Sequence, residues 1–486
     1  MHPSSVPPRP FAGFLLPIVS AGLAAGLLGG LAACSTASSA TSAGHVLPGL
    51  DRYAPGGEAP VVDIYFSAGE VEGYGSGGVD WDPVHYYGCN RHNTSNCSIR
   101  RVRVSLATGA YTAPEVVVPR ERSDSTRSVG KVMAAVNRAG THLAYRAANT
   151  LEPDRKTPGT AVRLPTTIME LHVRDLDGGT DRVVGREKYA RFPAWYDDET
   201  LLYTRSTRDG DALMRATIPS SLRSGTVRAA DLVLGPGSGV NDALAFDDVD
   251  IRQGWSPSDT HPPIVSFGKE LSGGGEGATI PRVHALAWQG AVTKSGTNWR
   301  PEMFQLGTLR TMPGQAVQDC QHPTWSIDGA SIYCWNHSAR DRWPADNPRS
   351  LLEMTYRYVW SGSAWVQAPE KWAFTPPDPT TLSQISLGLF PAQSASTSPR
   401  CEVTAYKQAS ECGSSDYMVM TLFCSDAKYN PPYPTFVSRV LLVHRDPFSY
   451  WDLTGLVEAQ ERRPLGSMQG IYSTCHTVPT GESAGL

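Results

Sequence analysis

The twelve residues "HPTWSIDGASIY", 322–333, hold an apolar run, a turn signal and a second, alternating apolar run. Asp328-Gly329 tolerates the positive φ of a tight turn, so the segment predicts a short antiparallel hairpin. The same grammar recurs along the chain. In "FPAWYDDETLLYT", 192–204, Trp195 takes the place of Trp325, and Leu202 follows it by seven residues as Ile332 follows Trp325. In "MAAVNRAGTHLAY", 133–145, Val136 replaces the tryptophan, Gly140 the turn glycine, and Leu143 again lies seven residues on. "GWSPSDTHPPIVSF", 254–267, keeps Trp255-Ser256-Pro257 with extra residues in its turn. These markers stand 59, 60 and 70 residues apart, which restricts the fold to a series of similar small units.

A second hairpin accompanies each of these. It is clearest in "IMELHVRDLDGGTDRVVG", 168–185, and recurs at 99–118, 351–370 and 438–455, with looser copies at 212–235 and 282–307. Another inner copy is expected in 385–406 with its turn rewritten. Four short strands per unit, repeated about six times with no predicted helix, is the pattern of an all-β β-propeller of four-stranded antiparallel blades. The repeats favour six blades over seven. The first unit lacks its front: "VVDIYFSAG", 61–69, reads as a second strand, so ring closure is expected to borrow a C-terminal strand from "GSMQGIYSTC", 466–475. The abundance of Gly (46), Pro (38), Trp (12) and Tyr (19) suits many strands and turns better than a helical bundle. A net charge of −4 over 486 residues gives no reason to expect nucleic acid as a partner.

These hairpins resemble the WD40-like repeats of TolB-type propellers. Pro323, Trp325, Ser326, Asp328 and Gly329 match the first half of that repeat, Asp175, Asp177, Gly178 and Gly179 the later half, and Pro193, Trp195 and Asp198 form a partial copy. The resemblance spans about residues 60–475 and implies fold more than function, because such repeats occur in periplasmic binding proteins and in peptidase propeller domains alike. Two departures stand out. No room exists for the TolB N-terminal α/β domain between Cys34 and the first strand, and eight further cysteines are present.

The first residues have another character. Arg9 precedes "FAGFLLPIVSAGLAAGLLGGLAAC", which resembles a bacterial lipoprotein signal peptide ending in the lipobox Leu31-Ala32-Ala33-Cys34. By that resemblance residues 1–33 are removed, Cys34 carries diacylglyceryl and palmitate groups, 34–59 form a flexible tether, 60–478 the propeller and 479–486 a disordered tail. A transmembrane anchor that happens to end in cysteine is the alternative. Ser35 after the cysteine points to the outer membrane, facing the periplasm or the cell surface. The eight remaining cysteines suit an oxidising compartment. Cys320 and Cys334 flank the turn at 327 and are expected to face each other, and Cys89 and Cys97 to close a short loop. Cys401, Cys412, Cys424 and Cys475 admit three connectivities, and the sequence does not choose among them.

No Walker loop or His-Glu-x-x-His motif occurs; "GYGSGG", 73–78, and "GPGSG", 235–239, lack the spacing of a nucleophile elbow and read as glycine loops. His85, Cys89, His92 and Cys97 offer zinc-type donors, and Asp247, Asp248 and Asp250 calcium-type donors. A disulfide-closed loop and a solvated acidic turn account for them better. No cofactor or metal is therefore expected. Propellers bind at the axial funnel, and the residues just before the marker positions are candidates for its rim: Lys131, Arg191, Arg252, Gln321 and His322. A mainly basic ring suits an anionic ligand or an acidic loop of an envelope protein. The sequence thus implies a lipid-anchored binding scaffold in the bacterial envelope rather than an enzyme, with an axial, calcium-dependent hydrolase or lyase as the alternative.

Overall fold

The computed structural model describes residues 45–53, 59–71, 95–119, 129–149, 168–187, 190–207, 210–234, 244–251, 264–271, 279–288, 301–305, 321–335, 355–360, 365–368, 401–405, 410–426, 437–461 and 473–479. In chain order the first group of strands is β1 (His45–Val46), β2 (Val61–Val71), β3 (Ser95–Ser105), β4 (Ala110–Tyr111) and β5 (Glu115–Val118). Then come β6 (Val129–Val136), β7 (His142–Asn149), β8 (Ile168–Asp175) and β9 (Asp181–Glu187), followed by β10 (Ala190–Trp195), β11 (Thr200–Thr207), β12 (Gly210–Thr217) and β13 (Arg228–Leu234). The next eight are β14 (Leu244–Ile251), β15 (Ile264–Leu271), β16 (Thr279–Trp288), β17 (Pro301–Gln305), β18 (Gln321–Trp325), β19 (Ser331–Trp335), β20 (Thr355–Trp360) and β21 (Trp365–Gln367). The chain ends with β22 (Cys401–Ala405), β23 (Ser410–Cys412), β24 (Ser414–Asp426), β25 (Val437–His444), β26 (Ser449–Asp452), helix α1 (Leu453–Glu461) and β27 (Thr474–Thr477).

Among the described residues these strands make six antiparallel sheets. Four are plain meanders in sequence order: β6 to β9, β10 to β13, β14 to β17 and β18 to β21. The sixth runs β22-β24-β25-β26, with β23 also on β24. In the first sheet the order is β1-β4-β3-β2-β27, with β5 on β3, so the C-terminal strand lies beside β2. The strands β27, β6, β10, β14, β18 and β23 are each in contact with the next, and β23 is again in contact with β27. One end strand of every sheet therefore lines a closed ring, and the fold is an all-β propeller. A C-terminal strand is borrowed as expected, but β27 overlaps the expected stretch 466–475 only at Thr474 and Cys475; Val62, Asp63, Ile64 and Tyr65 stand opposite Thr477, His476, Cys475 and Thr474.

Period-2 patterning explains how each sheet serves two neighbours. In β7, Leu143, Tyr145 and Ala147 join Tyr65, Ile99, Val117 and Val118 in a core between the first and second sheets. Ala144, from the opposite face of β7, joins Leu171, Val173, Trp195, Leu201 and Tyr203 between the second and third. Successive residues of one strand thus enter different cores. All six expected outer hairpins are present as β3 with β4 and β5, β8–β9, β12–β13, β16–β17, β20–β21 and β25–β26.

The inner hairpins refine the sequence alignment. Val136 pairs with Leu143, and Trp325 with Ile332, as the seven-residue spacing requires. Their turns contain Gly140 (φ 71°) and Gly329 (φ 69°). The turn after Trp195 is one residue shorter, so Trp195 pairs with Leu201 and Leu202 faces Ala194. In the fourth sheet β14 ends at Ile251, which pairs with Ile264. Trp255, the marker the sequence suggested, lies outside the described residues. Residues 385–400 of the rewritten copy also lie outside the described residues; its strand β22 begins at Cys401.

Three features depart from the sequence reading. Residues 45–53 are packed on the propeller instead of belonging to a tether: His45 pairs with Tyr111, Leu50 is fully buried, and Trp451 Nε1–H donates to the Pro48 carbonyl at 2.9 Å. Apolar Leu47 and Leu50 give this stretch the driving force that its Ser/Thr/Ala-rich predecessor lacks. Helix α1 was not foreseen; Asp452 caps it by accepting the Gly455 N–H at 3.0 Å. Finally, Cys412 is bonded to Cys475 across 63 residues of sequence, which resolves one of the pairings left open. A closure of that length contributes ~4 kcal/mol in the chain-entropy account. The segment 1–44, Cys89 and Cys320 lie outside the described residues.

Gly140 shows how closely the closing strand and the second sheet approach. A Cβ there meets His476 Cε1 at 2.7 Å, in a backbone region already unfavourable for L-residues. At Gly179 (φ +66°) a Cβ has only Arg174 Nη2 at 3.4 Å. Gly140→Ala is expected to destabilise the protein by about 2–3 kcal/mol and Gly179→Ala by about 1 kcal/mol, measured as shifts in urea midpoints.

Candidate functional site

Four of the six ring-lining strands, β6, β10, β14 and β18, share one irregularity. In β6 the register passes from Val132 opposite Arg146 to Ala135 opposite Ala144, so β6 carries one extra residue. The same step occurs in β10 between Arg191 and Ala194, and in β18 between Gln321 and Thr324. In β14 it falls between Asp247 and Val249. Each is a β-bulge, and bulges re-aim side chains and increase local twist. Pro193 and Pro323 sit inside two of them, where a residue without an N–H costs no ladder hydrogen bond. The Pro-x-Trp element of the repeat thereby acquires a structural reason. In β6, which has no proline there, Met133 takes a positive φ of 59° instead.

The sequence-predicted rim residues fall at or near this level. Arg191 and Gln321 are equivalent, each the last paired residue before its bulge, and His322 lies within the bulge of β18. Lys131, opposite Ala147, stands one position earlier in its strand than Arg191 does. Arg252 follows Ile251, the last residue of β14, and lies outside the described residues. The bulge level of β14 belongs to Asp247 and Asp248, so the register places acidic residues in the sequence of basic ones. These aspartates are inside a strand and not in a turn before one.

The opposite ends of the inner strands carry a second recurring arrangement, in which the hairpin turn of one sheet is bonded to its neighbour. The Ala139 N–H donates to Asp198 Oδ1 at 2.8 Å, and Trp195 Nε1–H donates to the Ala135 carbonyl at 3.0 Å, joining the second and third sheets. His476 Nε2 faces the Arg138 carbonyl at 3.0 Å and, since a carbonyl only accepts, donates to it. At the fifth and sixth sheets Glu411 accepts from the Ile327 N–H at 2.8 Å and from the Tyr333 hydroxyl at 2.5 Å. Arg445 Nη1 adds contacts to Glu411 at 3.3 Å and to the Ser415 carbonyl at 2.7 Å. Burial pushes the Glu411 carboxyl above its usual range despite these donors, and burial likewise raises the Tyr333 hydroxyl. Sequence reasoning missed both Glu411 and His476, since nothing local distinguishes them from other strand residues.

Two histidine sites occur in the second sheet. His172 on β8 has Asp181 Oδ1 at 2.8 Å from Nδ1 and Glu170 Oε2 at 3.3 Å from Nε2, while the Tyr145 hydroxyl donates to Asp181 at 2.5 Å. This cluster braces β7, β8 and β9. His142 is buried beside Trp195, with Nδ1 2.9 Å from Thr141 Oγ1 and Nε2 without a hydrogen-bond partner. Its burial lowers its pKa below the ordinary 6.5, against the opposing fields of Asp175, Asp198 and Asp177. Among the described residues no group of three or more His, Cys, Asp or Glu side chains is placed to hold a metal ion. The donors at 85, 89 and 92 lie outside them.

No family model matches the chain, and no curated protein is similar to it at a significant level. Among solved structures it is similar to TolB from Acinetobacter baumannii, with 11% identity over 83% of this chain and 64% of that one at a TM-score of 0.36. The chain thus spans slightly under two thirds of that protein. A protein from Lactobacillus plantarum gives 9% identity, coverage of 85% and 99%, and a TM-score of 0.38. The β-propeller domain of the Trilobed protease from Pyrococcus furiosus gives 12%, 74%, 90% and 0.31. On its own topology and repeats, the chain is an all-β propeller.

Two outcomes test the site's physics. His142 is held with a lowered pKa, so the unfolded chain binds the extra proton first. Stability is full above pH 6.5 and falls as the pH drops below it. Melting curves from pH 8 to 5 are expected to show a smaller acid-side decline for His142→Gln than for the unaltered protein. Glu411→Ala removes the shared acceptor for Ile327, Tyr333 and Arg445 and is expected to cost about 3 kcal/mol by urea denaturation, with Glu411→Gln losing less.

Proposed function

We propose that this protein is a non-catalytic binding scaffold of the bacterial cell envelope, carried by a lipid on Cys34, whose axial opening receives an acidic protein loop or an anionic ligand. The observation that carries this reading is the repeated bulge of the ring-lining strands. It brings Arg191 of the third sheet and Gln321 of the fifth to equivalent register positions, with His322 next to Gln321 and Lys131 of the second sheet one residue before that level. Basic groups gathered on a rigid rim raise the local concentration of anions and speed their encounter. The bracing of adjacent sheets through Glu411, Asp198 and His476 supports rigidity, because those polar groups are committed to holding the ring. The second reading, an axial hydrolase or lyase, draws on Asp247 and Asp248 at the bulge level of β14.

The test is capture from detergent-solubilised envelopes by the full-length lipidated protein, beside Lys131→Glu/Arg191→Glu and Asp247→Asn/Asp248→Asn variants. The first variant is expected to lose at least tenfold of a reproducible partner while the second retains it. Equal capture by all three removes the axial reading, and loss confined to the aspartate variant moves the weight to the carboxylates. Cys34→Ala is expected to shift the protein from the detergent phase to the aqueous phase on Triton X-114 partition; unchanged partition rejects the lipid anchor.

A further inference from the structure

The short closing strand β27 is held from three directions by adjacent residues. Its backbone pairs with Val62–Tyr65 of β2, and the Val478 N–H continues the ladder by donating to the Val61 carbonyl at 2.9 Å. On one side His476 donates to the Arg138 carbonyl and packs its ring over Gly140 of the second sheet. On the other, Cys475 is bonded to Cys412 of β23, in the sixth sheet. Only the last of these ties is covalent, and it crosses the one place where the ring is closed by residues remote in sequence. Both sulfur-bearing residues are buried, Cys412 completely and Cys475 to 7% exposure, so they are shielded while the seam stays shut.

We propose that the Cys412–Cys475 bond is a redox latch on ring closure, and that its reduction releases β27 and leaves the Val62–Tyr65 edge of β2 open to an added peptide strand. The reductant is a dithiol. One of its thiolates attacks Sγ of Cys475, the less buried residue of the two, as the Cys412 thiolate leaves; its second thiol then resolves the mixed disulfide. Two electrons pass to the cysteine pair, which takes up two protons, and the dithiol ends as a disulfide. The freed edge presents the backbone groups that β27 had paired, and a four-residue strand held by hydrogen bonds alone is marginal without a further tie. An extended segment adds to such an edge through main-chain hydrogen bonds, with pockets selecting alternate side chains. The pattern it must match is that of β27, with a small apolar residue in the place of Cys475 and a polar one in that of His476.

Hydrogen exchange of the native full chain, before and after dithiothreitol, tests this, with reduction of Cys412 and Cys475 verified by alkylation and mass. A Cys412→Ser/Cys475→Ser variant isolates this bond from the other cysteines, and reduction of the preformed protein supplies the same comparison if that variant does not fold. The expected result is at least a tenfold faster exchange in Thr474–Thr477 and Val62–Tyr65, with β7, β8 and β11 unchanged. A labelled peptide of residues 473–479 carrying Cys475→Ser is expected to bind the reduced form and not the oxidised one. Unchanged exchange at the seam, an equal loss of protection in β7, β8 and β11, or absence of peptide binding after reduction overturns the latch.

Discussion

Closure of the ring is the constraint on which the rest of this structure depends. A sheet that lines an axis has its inner edge protected only if every neighbouring sheet is present, and a chain that begins with the second strand of its first sheet has left one inner position empty. β27 fills it, and the interactions around the seam follow from that need. Leu47 and Leu50 bring the N-terminal segment into the same core as Val62, Ile64 and Phe66 of β2 and Tyr417, Val419, Leu442 and Trp451 of the sixth sheet. The Tyr53 hydroxyl hydrogen-bonds Ser449 Oγ at 2.7 Å, and the Tyr417 hydroxyl donates to the Tyr53 carbonyl at 3.2 Å. Helix α1 adds an ion pair between Glu461 and Arg100 of β3. Both described ends of the propeller are thereby fastened where the ring is joined.

Much of this was legible in the sequence because local rules and tertiary demand agree along most strands. Alternation located the outer hairpins, and Gly140 and Gly329 marked turns because only a residue without a Cβ takes their φ at no cost. The missing first strand could be inferred from "VVDIYFSAG" and its poor surroundings. Where reading failed, a non-local partner decided the outcome. Asp452 reads as an ordinary strand-end acid until its carboxylate caps a helix. Residues 45–53 look like the end of a tether until Leu50 is seen inside the core.

The candidate site was less legible than the fold. The argument from marker positions found Lys131, Arg191, Gln321 and His322 on ring-lining strands, since a residue a fixed distance before a strand end keeps its level from repeat to repeat. Arg252 lies outside the described residues, and in the fourth sheet the register brings Asp247 and Asp248 to the bulge. The bulge itself had a trace in the sequence: proline two residues before tryptophan is incompatible with a regular ladder. The cysteine pairing had none, because a bond between β23 and β27 depends on how the ring closes and no spacing encodes it.

A bulge repeated around the lining of a ring has a physical implication for how such a surface evolves its specificity. Each bulge breaks the strict alternation of its strand, so the residues at and before it are released from the demand that alternate positions fill inter-sheet cores. Met133 remains buried in that position, whereas the corresponding residues of β10 and β18 are Phe192 and His322. Residues of apolar, aromatic and ionisable type thus occupy one register position of one scaffold. The flanking residues, Val136, Trp195 and Trp325, stay buried and keep the sheets in contact. Residue type at this level, basic at Arg191 and acidic at Asp247 and Asp248, can therefore vary from strand to strand without disturbing the cores that hold the ring together.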